Sequence, residues 1–485
     1  MSDASVAARA QAASPSLVVD VAIIGTGQAA VPLAVALAAR GETVAVFEGG
    51  QLGGSCVNVG CTPTKTLRKS ARVAHMARRA HEFGVEVGEV RVDFAAAMER
   101  AAAIVEASRA GLTRWLGSAN GVTLVREWGR FDGRDGNRFV VRGDATTVHA
   151  TRVYVNTGTR PFVPPIDGLG DVPVLTNENV LALRAAPEHL VILGGSYIGL
   201  EFGQIFRRLG SAVSIVETGD AIAAREDTDI SARLSDMLRA EGVSLHTQSS
   251  VVDVSATPNG ASSGALTFTL QHAITNVRHA LRASHLLVAT GRVPDTDQLG
   301  LDTVGVHLDA RGFIPVNGQL ETSVPGIWAL GDVNKRGAFT HTSYQDHEIV
   351  LANHLGGART ADGRISTYAM FTDPPLGRVG LSEREARELM KQGRRFLAAS
   401  HEMRAVSRAK EEGETIGVIR VLVDADTERF VGASLLGIGA DEIVQTIGAM
   451  IAANAPYQVL RDALPVHPTV TEFFPTILGK LQPLE

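Results

Sequence analysis

Residues 18–30 read VVDVAIIGTGQAA, and their pattern predicts the fold of the first part of the chain. A run of β-branched residues stops at Gly25, and an Ala/Leu/Val-rich stretch of helical character follows the glycines as far as Arg40. A second apolar run, residues 44–47, ends in Glu48, about twenty residues after the glycines, the spacing expected of a ribose-binding acid. Strand, glycine turn, helix and acid in this order predict a dinucleotide-binding βαβ unit, with the pyrophosphate at the helix N-terminus.

The same design recurs later in the chain. Residues 190–201 read LVILGGSYIGLE, and a second apolar strand, residues 212–216, ends in Glu217. Ser196 stands where the pattern prefers glycine, so the backbone there is expected slightly further from the phosphates. An acid at Glu217, with no Arg or Lys before Arg225, favours a free ribose 2′-hydroxyl and hence NADH over NADPH.

Between these units, residues 53–65 read GGSCVNVGCTPTK and contain both cysteines of the protein, Cys56 and Cys61. Thr62 and Pro63 are predicted as the N-cap and first residue of a helix, which places Cys61 at a helix start. The positive end of that helix, with Lys65 roughly one turn further on, favours a thiolate. A purely structural bridge is the alternative, but a ring this small stabilises little. The pair is therefore predicted to be redox-active.

The length of 485 residues indicates about three domains. A net charge of -6 does not favour binding to nucleic acid or to an anionic membrane, and neither partner is expected. Residues 1–17 contain no apolar core of the length that a signal peptide requires, and they are interpreted as a flexible leader. We find no clustering of Cys with His that is typical of a metal site, and a reducing, cytoplasmic location is predicted.

The remaining segments are predicted from periodicity and turn residues. Two helical segments, residues 64–83 and 94–116, are expected to pack on each other. Short strands follow over residues 122–155, a proline-rich linker over 161–173 and a strand over 285–289. A strand and a Gly-Asp turn are expected within residues 326–332. A mixture of strands and helices is expected from residue 366 onward.

Six motifs in this order resemble those of the class I flavin-dependent pyridine nucleotide-disulfide oxidoreductases: GTGQAA, GGSCVNVGCTPTK, GGSYIGLE, ATGRVPD, ALGDV and HPTVTE. The resemblance covers residues 18–480. It implies an α/β fold with two Rossmann-like domains, for FAD and NAD(P), and a C-terminal α+β dimerisation domain. The implied boundaries are 18–168 with 291–365 for FAD, 169–290 for NAD(P) and 366–485 for dimerisation.

The resemblance also implies which residues bind the cofactors. The first glycine motif and Glu48 would bind FAD, Asp332 would help to hold its ribityl chain, and the Gly194 motif would bind the nicotinamide nucleotide under a Tyr197 gate. The full implied set is Gly25, Gly27, Ala30, Glu48, Gly54, Lys65, Thr157, Gly158, Asp332, Gly194, Ser196, Tyr197, Gly199, Glu217 and Gly291.

The implied catalytic residues are Cys56, Cys61, Lys65, Glu201, His467 and Glu472. By resemblance, hydride passes from the nicotinamide to FAD, and the electrons reach the disulfide through Cys61, which leaves Cys56 to attack the substrate. A Lys65–Glu201 ion pair would lie beside the flavin ring. His467, oriented by Glu472, would move the proton in the active site of the other subunit, which implies a homodimer.

Three functions follow as hypotheses. The favoured one is reduction of a small-molecule or protein-bound disulfide, as in dihydrolipoamide dehydrogenase. The second is reduction of a metal ion or small oxidant in the manner of mercuric reductase, although residues 479–485 lack the C-terminal cysteine pair of those enzymes. The third is a redox-sensing flavoprotein that signals through partners.

Overall fold

The computed structural model describes residues 16–256 and 266–485. Its residues group into two compact units. The first unit contains the described residues up to Asn58 together with Glu106–Arg160 and Val293–Gly363. The second unit contains Val59–Val105, Pro161–Arg292 and Arg364–Glu485. Among the helices of these described ranges, none combines the length and the apolar character needed to cross a membrane.

Helices and strands alternate along much of the chain. The helices are α1 (Ala30–Ala38), α2 (Gly54–Val59), α3 (Cys61–Arg78), α4 (Phe94–Ser118), α5 (Tyr197–Leu209), α6 (Thr228–Ala240), α7 (Thr340–His354), α8 (Glu383–Met390), α9 (Ser407–Glu411), α10 (Ala440–Ala452), α11 (Gln458–Arg461) and α12 (Phe474–Leu478). The strands are β1 (Ser16–Ile24), β2 (Val44–Phe47), β3 (Val122–Val125), β4 (Arg130–Asp135), β5 (Arg138–Arg142), β6 (Thr147–Val155), β7 (Thr159–Pro161), β8 (His189–Leu193), β9 (Ala212–Val216), β10 (Val243–His246), β11 (Ser249–Ala256), β12 (Leu266–His272), β13 (Arg278–Ala283), β14 (His285–Val288), β15 (Arg292–Pro294), β16 (Ile327–Ala329), β17 (Thr367–Met370), β18 (Leu376–Gly380), β19 (Phe396–Glu402), β20 (Val418–Asp424), β21 (Arg429–Leu436) and β22 (Gln482–Pro483).

The first unit is built on one sheet in the order β3-β2-β1-β6-β5-β4, with β16 also paired to β6. Strands β1, β2, β3, β6 and β16 run parallel, whereas β4 and β5 join as an antiparallel hairpin. Val21 and Ile23 of β1 belong to one apolar cluster, and Ala22 and Ile24 belong to another. Both faces of the C-terminal half of β1 are therefore buried, which explains the uninterrupted apolar run of residues 21–24.

The described residues of the second unit form three sheets of three or more strands. Strands β10-β9-β8-β14 form a parallel sheet, and β11-β12-β13 form an antiparallel one. In β8, Leu190 and Ile192 face one apolar cluster and Val191 and Leu193 face another, as in β1. The C-terminal sheet has the order β17-β18-β21-β20-β19-β22, and α10 packs against it. Parallel sheets with helices and a C-terminal antiparallel sheet confirm the predicted α/β fold class.

Several predicted boundaries differ from the structure. Strand β1 begins at Ser16, because Ser16 and Leu17 pair with β6, so these two residues do not belong to a leader; residues 1–15 of the predicted leader lie outside the described part. The first long helix begins at Cys61 and ends at Arg78, before a short 3₁₀ turn at Ala80–Phe83. It shares an apolar cluster with the N-terminal part of α4, as expected. Strands β3, β4, β5 and β6 lie within residues 122–155, where short strands were predicted.

Candidate active site

The first glycine loop lies directly on the end of β6. Gly25 has φ +90°, and a Cβ there would come within 2.6 Å of the carbonyl oxygen of Asn156. A Cβ on Gly27 would meet the Asn156 side chain at 2.5 Å. The helix that follows begins at Ala30, with no side-chain cap and no acid in its first turn. The helix therefore follows a loop in which Gly25 and Gly27 leave no room for a Cβ, and such a close approach of the backbone suits a phosphate at the helix N-terminus.

Glu48, at the end of β2, is fixed against this loop. Its Oε2 accepts a hydrogen bond from the Thr26 backbone N–H at 3.0 Å, and its Oε1 accepts one from the Gly50 N–H at 2.8 Å. The Thr26 hydroxyl also donates to the carboxylate. The acid predicted to bind ribose is therefore nearly buried and held in one orientation.

Glu217, at the end of β9, repeats this geometry in the second unit. Its Oε2 accepts from the Gly195 N–H at 2.7 Å, and its Oε1 accepts from the Gly219 N–H at 2.7 Å. Gly194 has φ +106°, and a Cβ on Gly199 would lie 2.0 Å from the Gly194 carbonyl oxygen. The two glycine motifs thus build two equivalent sites, each with a carboxylate held between the loop and the residue two positions after the acid.

Polar atoms beside the first glycine loop fit a polar cofactor. Within the described ranges, Asn156 Oδ1 and Thr157 Oγ1 are buried and have no hydrogen-bond partner. Gly158 has φ +70°, and the Thr159 hydroxyl donates to Asp332 at 3.4 Å. Buried polar atoms of this kind are costly unless a ligand satisfies them. Of these residues, Thr157, Gly158 and Asp332 were predicted from sequence to bind cofactor, whereas Asn156 and Thr159 were not.

The two cysteines lie in successive short and long helices. Cys56 is half-buried within α2, which the sequence analysis did not predict, and Cys61 is the exposed first residue of α3. The prediction of Thr62 as N-cap is wrong, because Gly60 occupies that position. Pro63 is then the third residue of the helix, where its missing N–H costs nothing because first-turn N–H groups have no intrahelical acceptor.

Lys65 and Glu201 form the predicted ion pair, with 2.7 Å between Lys65 Nζ and Glu201 Oε2. The Lys65 side chain is 31% exposed and that of Glu201 only 4%. The other carboxylate oxygen accepts from the Phe371 backbone N–H at 2.8 Å, and Lys65 Nζ lies 4.6 Å from the centroid of the Phe371 ring. Phe371 was missed from sequence. It contributes to the pair through a main-chain atom and a ring face.

A buried charge cluster next to Phe371 fixes the two helices that carry this pair. Asp373 forms ion pairs with Arg208 of α5 and with Arg72 and Arg68 of α3. Gln204 of α5 also exchanges two hydrogen bonds with the Asp373 backbone. Burial pushes the pKa of Asp373 upward, but Arg208, Arg72 and Arg68 together hold that pKa below its usual value.

Replacing Asp373 by asparagine is expected to lower the free energy of unfolding by about 2 to 3 kcal/mol at neutral pH, because buried Arg208 loses one ionised partner while it keeps Glu241. A carboxyl with a lowered pKa stabilises the fold above its unfolded pKa of about 3.8, and this contribution is lost as the pH falls through the lower folded value. Denaturant unfolding from neutral to acidic pH therefore should show a shallower acid loss for Asp373→Asn than for wild type.

Asp426→Asn provides the control for this substitution. Asp426 pairs with Arg395 where both side chains are largely exposed, so its loss is expected to cost less than about 1 kcal/mol. Equal stability losses for the two variants would contradict the role given to the Asp373 cluster.

His467 and Glu472 are also brought together as predicted. His467 Nδ1 lies 2.7 Å from Glu472 Oε2, and the histidine side chain is 76% exposed while the glutamate is 13% exposed. The Glu472 N–H donates to the Thr469 hydroxyl at 3.2 Å, which holds the acid in place. Leu464 and Val466, beside the histidine, are highly exposed apolar residues. An oriented imidazole thus faces outward from an apolar surface.

Comparison with known proteins identifies the family. The model of the pyridine nucleotide-disulphide oxidoreductases matches residues 19–346, and that of their dimerisation domain matches residues 366–477. The chain belongs to the pyridine nucleotide-disulphide oxidoreductase family. As a member of that family, it is a flavin-dependent oxidoreductase acting on sulfur groups, with FAD and a pyridine nucleotide as its cofactors.

Three similar proteins carry different names. The chain is 33% identical over 455 residues to the probable pyridine nucleotide-disulfide oxidoreductase RclA of Escherichia coli, covering 93% of this chain and 96% of that one. It is 35% identical to a mercuric reductase of Streptomyces lividans, with 93% of each chain covered. It is 31% identical to the dihydrolipoyl dehydrogenase of Cupriavidus necator, covering 93% and 96% of the two chains.

A solved structure is similar over nearly the whole chain. It is the Cu(II) complex of the HOCl-induced flavoprotein disulfide reductase RclA from Escherichia coli, with a TM-score of 0.83, 32% identity, and coverage of 95% of this chain and 100% of that one. The predicted family, the fold class and the enzyme class are therefore confirmed. The roles of individual site residues, the domain boundaries and the cytoplasmic location stay predictions.

Proposed function

We propose that this protein is an FAD-dependent NAD(P)H:disulfide oxidoreductase whose Cys56–Cys61 pair passes two electrons to a disulfide or dithiol substrate. The observation that carries the proposal is the Lys65–Glu201 ion pair. This ion pair joins α3, which begins at Cys61, to α5, which contains part of the second glycine motif. The cysteine motif and a nucleotide-binding motif are therefore linked by a direct contact.

Bound FAD supplies two-electron chemistry, taking a hydride from the nicotinamide and giving the electron pair to a disulfide. The chain supplies binding, orientation and proton transfer. The glycine loops and the two fixed acids, Glu48 and Glu217, would hold the two nucleotides. Cys61 would receive the electron pair, and Cys56 would attack the substrate as a thiolate. One disulfide, one NAD(P)H and one proton yield two thiols and NAD(P)⁺.

A homodimer fits the outward-facing His467. The chain matches a dimerisation domain, and the exposed Leu464 and Val466 lie beside the histidine. A second copy that covers these apolar side chains would receive His467 near its own cysteine pair. The imidazole, oriented by Glu472, would then take the proton from an attacking thiol and return it to a leaving thiolate.

Anaerobic titration of the holoenzyme with NADH, followed by a panel of small and protein-bound disulfides, tests the proposal. We expect the enzyme to take up more than the two electrons that FAD alone accepts, because the cysteine pair accepts two more. Uptake that stops with the flavin, or the absence of steady turnover with every disulfide, would leave the redox-sensing hypothesis as the better one.

We also propose that NADH is the preferred donor. The Glu217 carboxylate is fixed by two backbone N–H groups, so it cannot turn away from a 2′-phosphate without losing them. In stopped flow, the bimolecular rate of FAD reduction is expected to be about tenfold or more higher with NADH than with NADPH, because like charges in one site repel. The control is Glu217→Gln, which keeps the shape and should narrow this ratio; equal rates in wild type would contradict the preference.

A second candidate is reduction of a metal ion or small oxidant by the same thiol pair. Relatives named mercuric reductase and a Cu(II) complex of RclA among similar structures favour this alternative. Within residues 16–256 and 266–485, no group of three or more His, Cys, Asp or Glu side chains is arranged to hold a metal ion. In this alternative, the metal ion is a substrate that the Cys56–Cys61 pair reduces.

A further inference from the structure

The connection between the two cysteines contains a break between helices. Helix α2 ends at Val59, and α3 begins at Cys61 after Gly60, whose φ of -129° and ψ of -115° are not helical. The last carbonyl groups of a helix have no intrahelical donor, so Val59 needs a hydrogen bond from elsewhere. The Val59 carbonyl and Gly60 therefore belong to the short connection that joins Cys56 to Cys61.

Asn177 supplies this hydrogen bond from a distant part of the chain. Its Nδ2 donates to the Val59 carbonyl at 3.1 Å, and its Oδ1 accepts from Arg292 Nη1 at 3.2 Å. Asn177 is only 8% exposed, so its side-chain amide donates one hydrogen bond and accepts another in a nearly buried position. Arg292 follows Gly291 in the ATGRVPD motif, for which no catalytic role was predicted.

We propose that Asn177 is a positioning residue for the Cys56–Cys61 pair, an inference that rests on the proposed function. When the pair is oxidised, two thiols lose two protons and two electrons to a disulfide substrate, which becomes two thiols, and one S–S bond forms in the chain. Holding the Val59 carbonyl fixes the connection before that bond forms. Less conformational entropy is then lost on closure, which favours the disulfide.

Asn177→Asp isolates the hydrogen bond to Val59. The substitution keeps the size of the side chain and the oxygen that accepts from Arg292, and it removes the donor. Asn179→Asp is the matched control in the same turn: Asn179 Nδ2 donates to the Val174 carbonyl at 3.0 Å, and Oδ1 accepts from the Thr176 N–H at 2.7 Å. Both of these contacts lie within its own turn.

The holoenzymes are equilibrated anaerobically with reduced and oxidised glutathione, and the dithiol fraction is measured by thiol alkylation and mass spectrometry. For Asn177→Asp, the equilibrium constant for disulfide formation is expected to fall by about three- to tenfold, as the loss of one hydrogen bond predicts. Asn179→Asp is expected to stay within about twofold of wild type. Asn177→Ala, which adds no charge, is measured in parallel and replaces the aspartate variant if that variant loses FAD.

Equal constants for the variants at positions 177 and 179, in an enzyme whose wild-type pair cycles between dithiol and disulfide, would overturn the positioning role and leave the proposed function intact. A wild-type pair that never forms a disulfide would overturn both. The two failures are therefore distinguishable in one experiment.

Discussion

Replacing Cys61 by serine is expected to lower turnover of disulfide substrates by roughly 10³-fold or more while FAD stays bound, and Cys56→Ser is expected to do the same. A serine cannot form the S–S bond through which the electron pair reaches the substrate. Binding of FAD should persist because its predicted contacts are made by the first glycine loop, Glu48 and Asp332, which neither substitution changes.

The measurement is steady-state disulfide reduction by NADH, with FAD content taken from the visible absorbance. Reduction of a one-electron acceptor that draws directly on the flavin is the internal control, and we expect both variants to retain it. Disulfide rates like those of wild type in either variant would show that the cysteine pair is not on the electron path.

His467→Gln is expected to lower disulfide turnover by about 10² to 10⁴-fold, the range typical of the loss of a positioned acid or base. The structure supports the role by geometry: Glu472 fixes the ring at Nδ1, which leaves Nε2 to face outward. The effect should appear in kcat with a disulfide substrate. His307→Gln, at an exposed histidine of the first unit, is the control and is expected to match wild type.

The same variant separates the two candidate functions. Full activity of His467→Gln toward Cu(II) or Hg(II), with little activity toward disulfides, would favour the metal ion as substrate. Co-expression of His467→Gln with Cys61→Ser chains tests the dimer, because an active site shared between subunits would be restored in the mixed species. No recovery of activity in mixed dimers would contradict a histidine supplied by the partner.

Whether a site residue could be predicted from the sequence depended on whether its role requires a particular side chain. Glu48 and Glu217 were predictable because the loop, helix and acid are close in sequence and each role requires a particular side chain. The pairing of Lys65 with Glu201, which lie far apart in the chain, came only from the family resemblance. Phe371 and Asn177 were missed because each of their hydrogen bonds has a main-chain atom at one end: the Phe371 N–H that donates to Glu201, and the Val59 carbonyl that accepts from Asn177. Any residue type carries such atoms, so no pattern marks them.

The helix start at Cys61 illustrates a different limit. Thr62 followed by Pro63 has the composition of a cap and first turn, yet Gly60 takes the cap position and the helix starts earlier. Proline is acceptable throughout a first turn, so its presence fixes the start only to within a few residues. Cys61 is therefore the first residue of the helix and still lies at the positive end of the helix dipole.

The repeated geometry at Glu48 and Glu217 has a consequence for inhibitor design. Each acid is held by the second residue of a glycine loop and by the residue two positions after the acid. If both sites bind their cofactors as predicted, each would present a fixed carboxylate and a glycine loop to an adenosine diphosphate moiety. Compounds that imitate this shared half of the cofactors would compete at both sites. A compound selective for one site has to exploit a difference between the two sites. The Thr26 hydroxyl contacts Glu48 in the first site, whereas Gly195, at the equivalent position of the second loop, has no side chain.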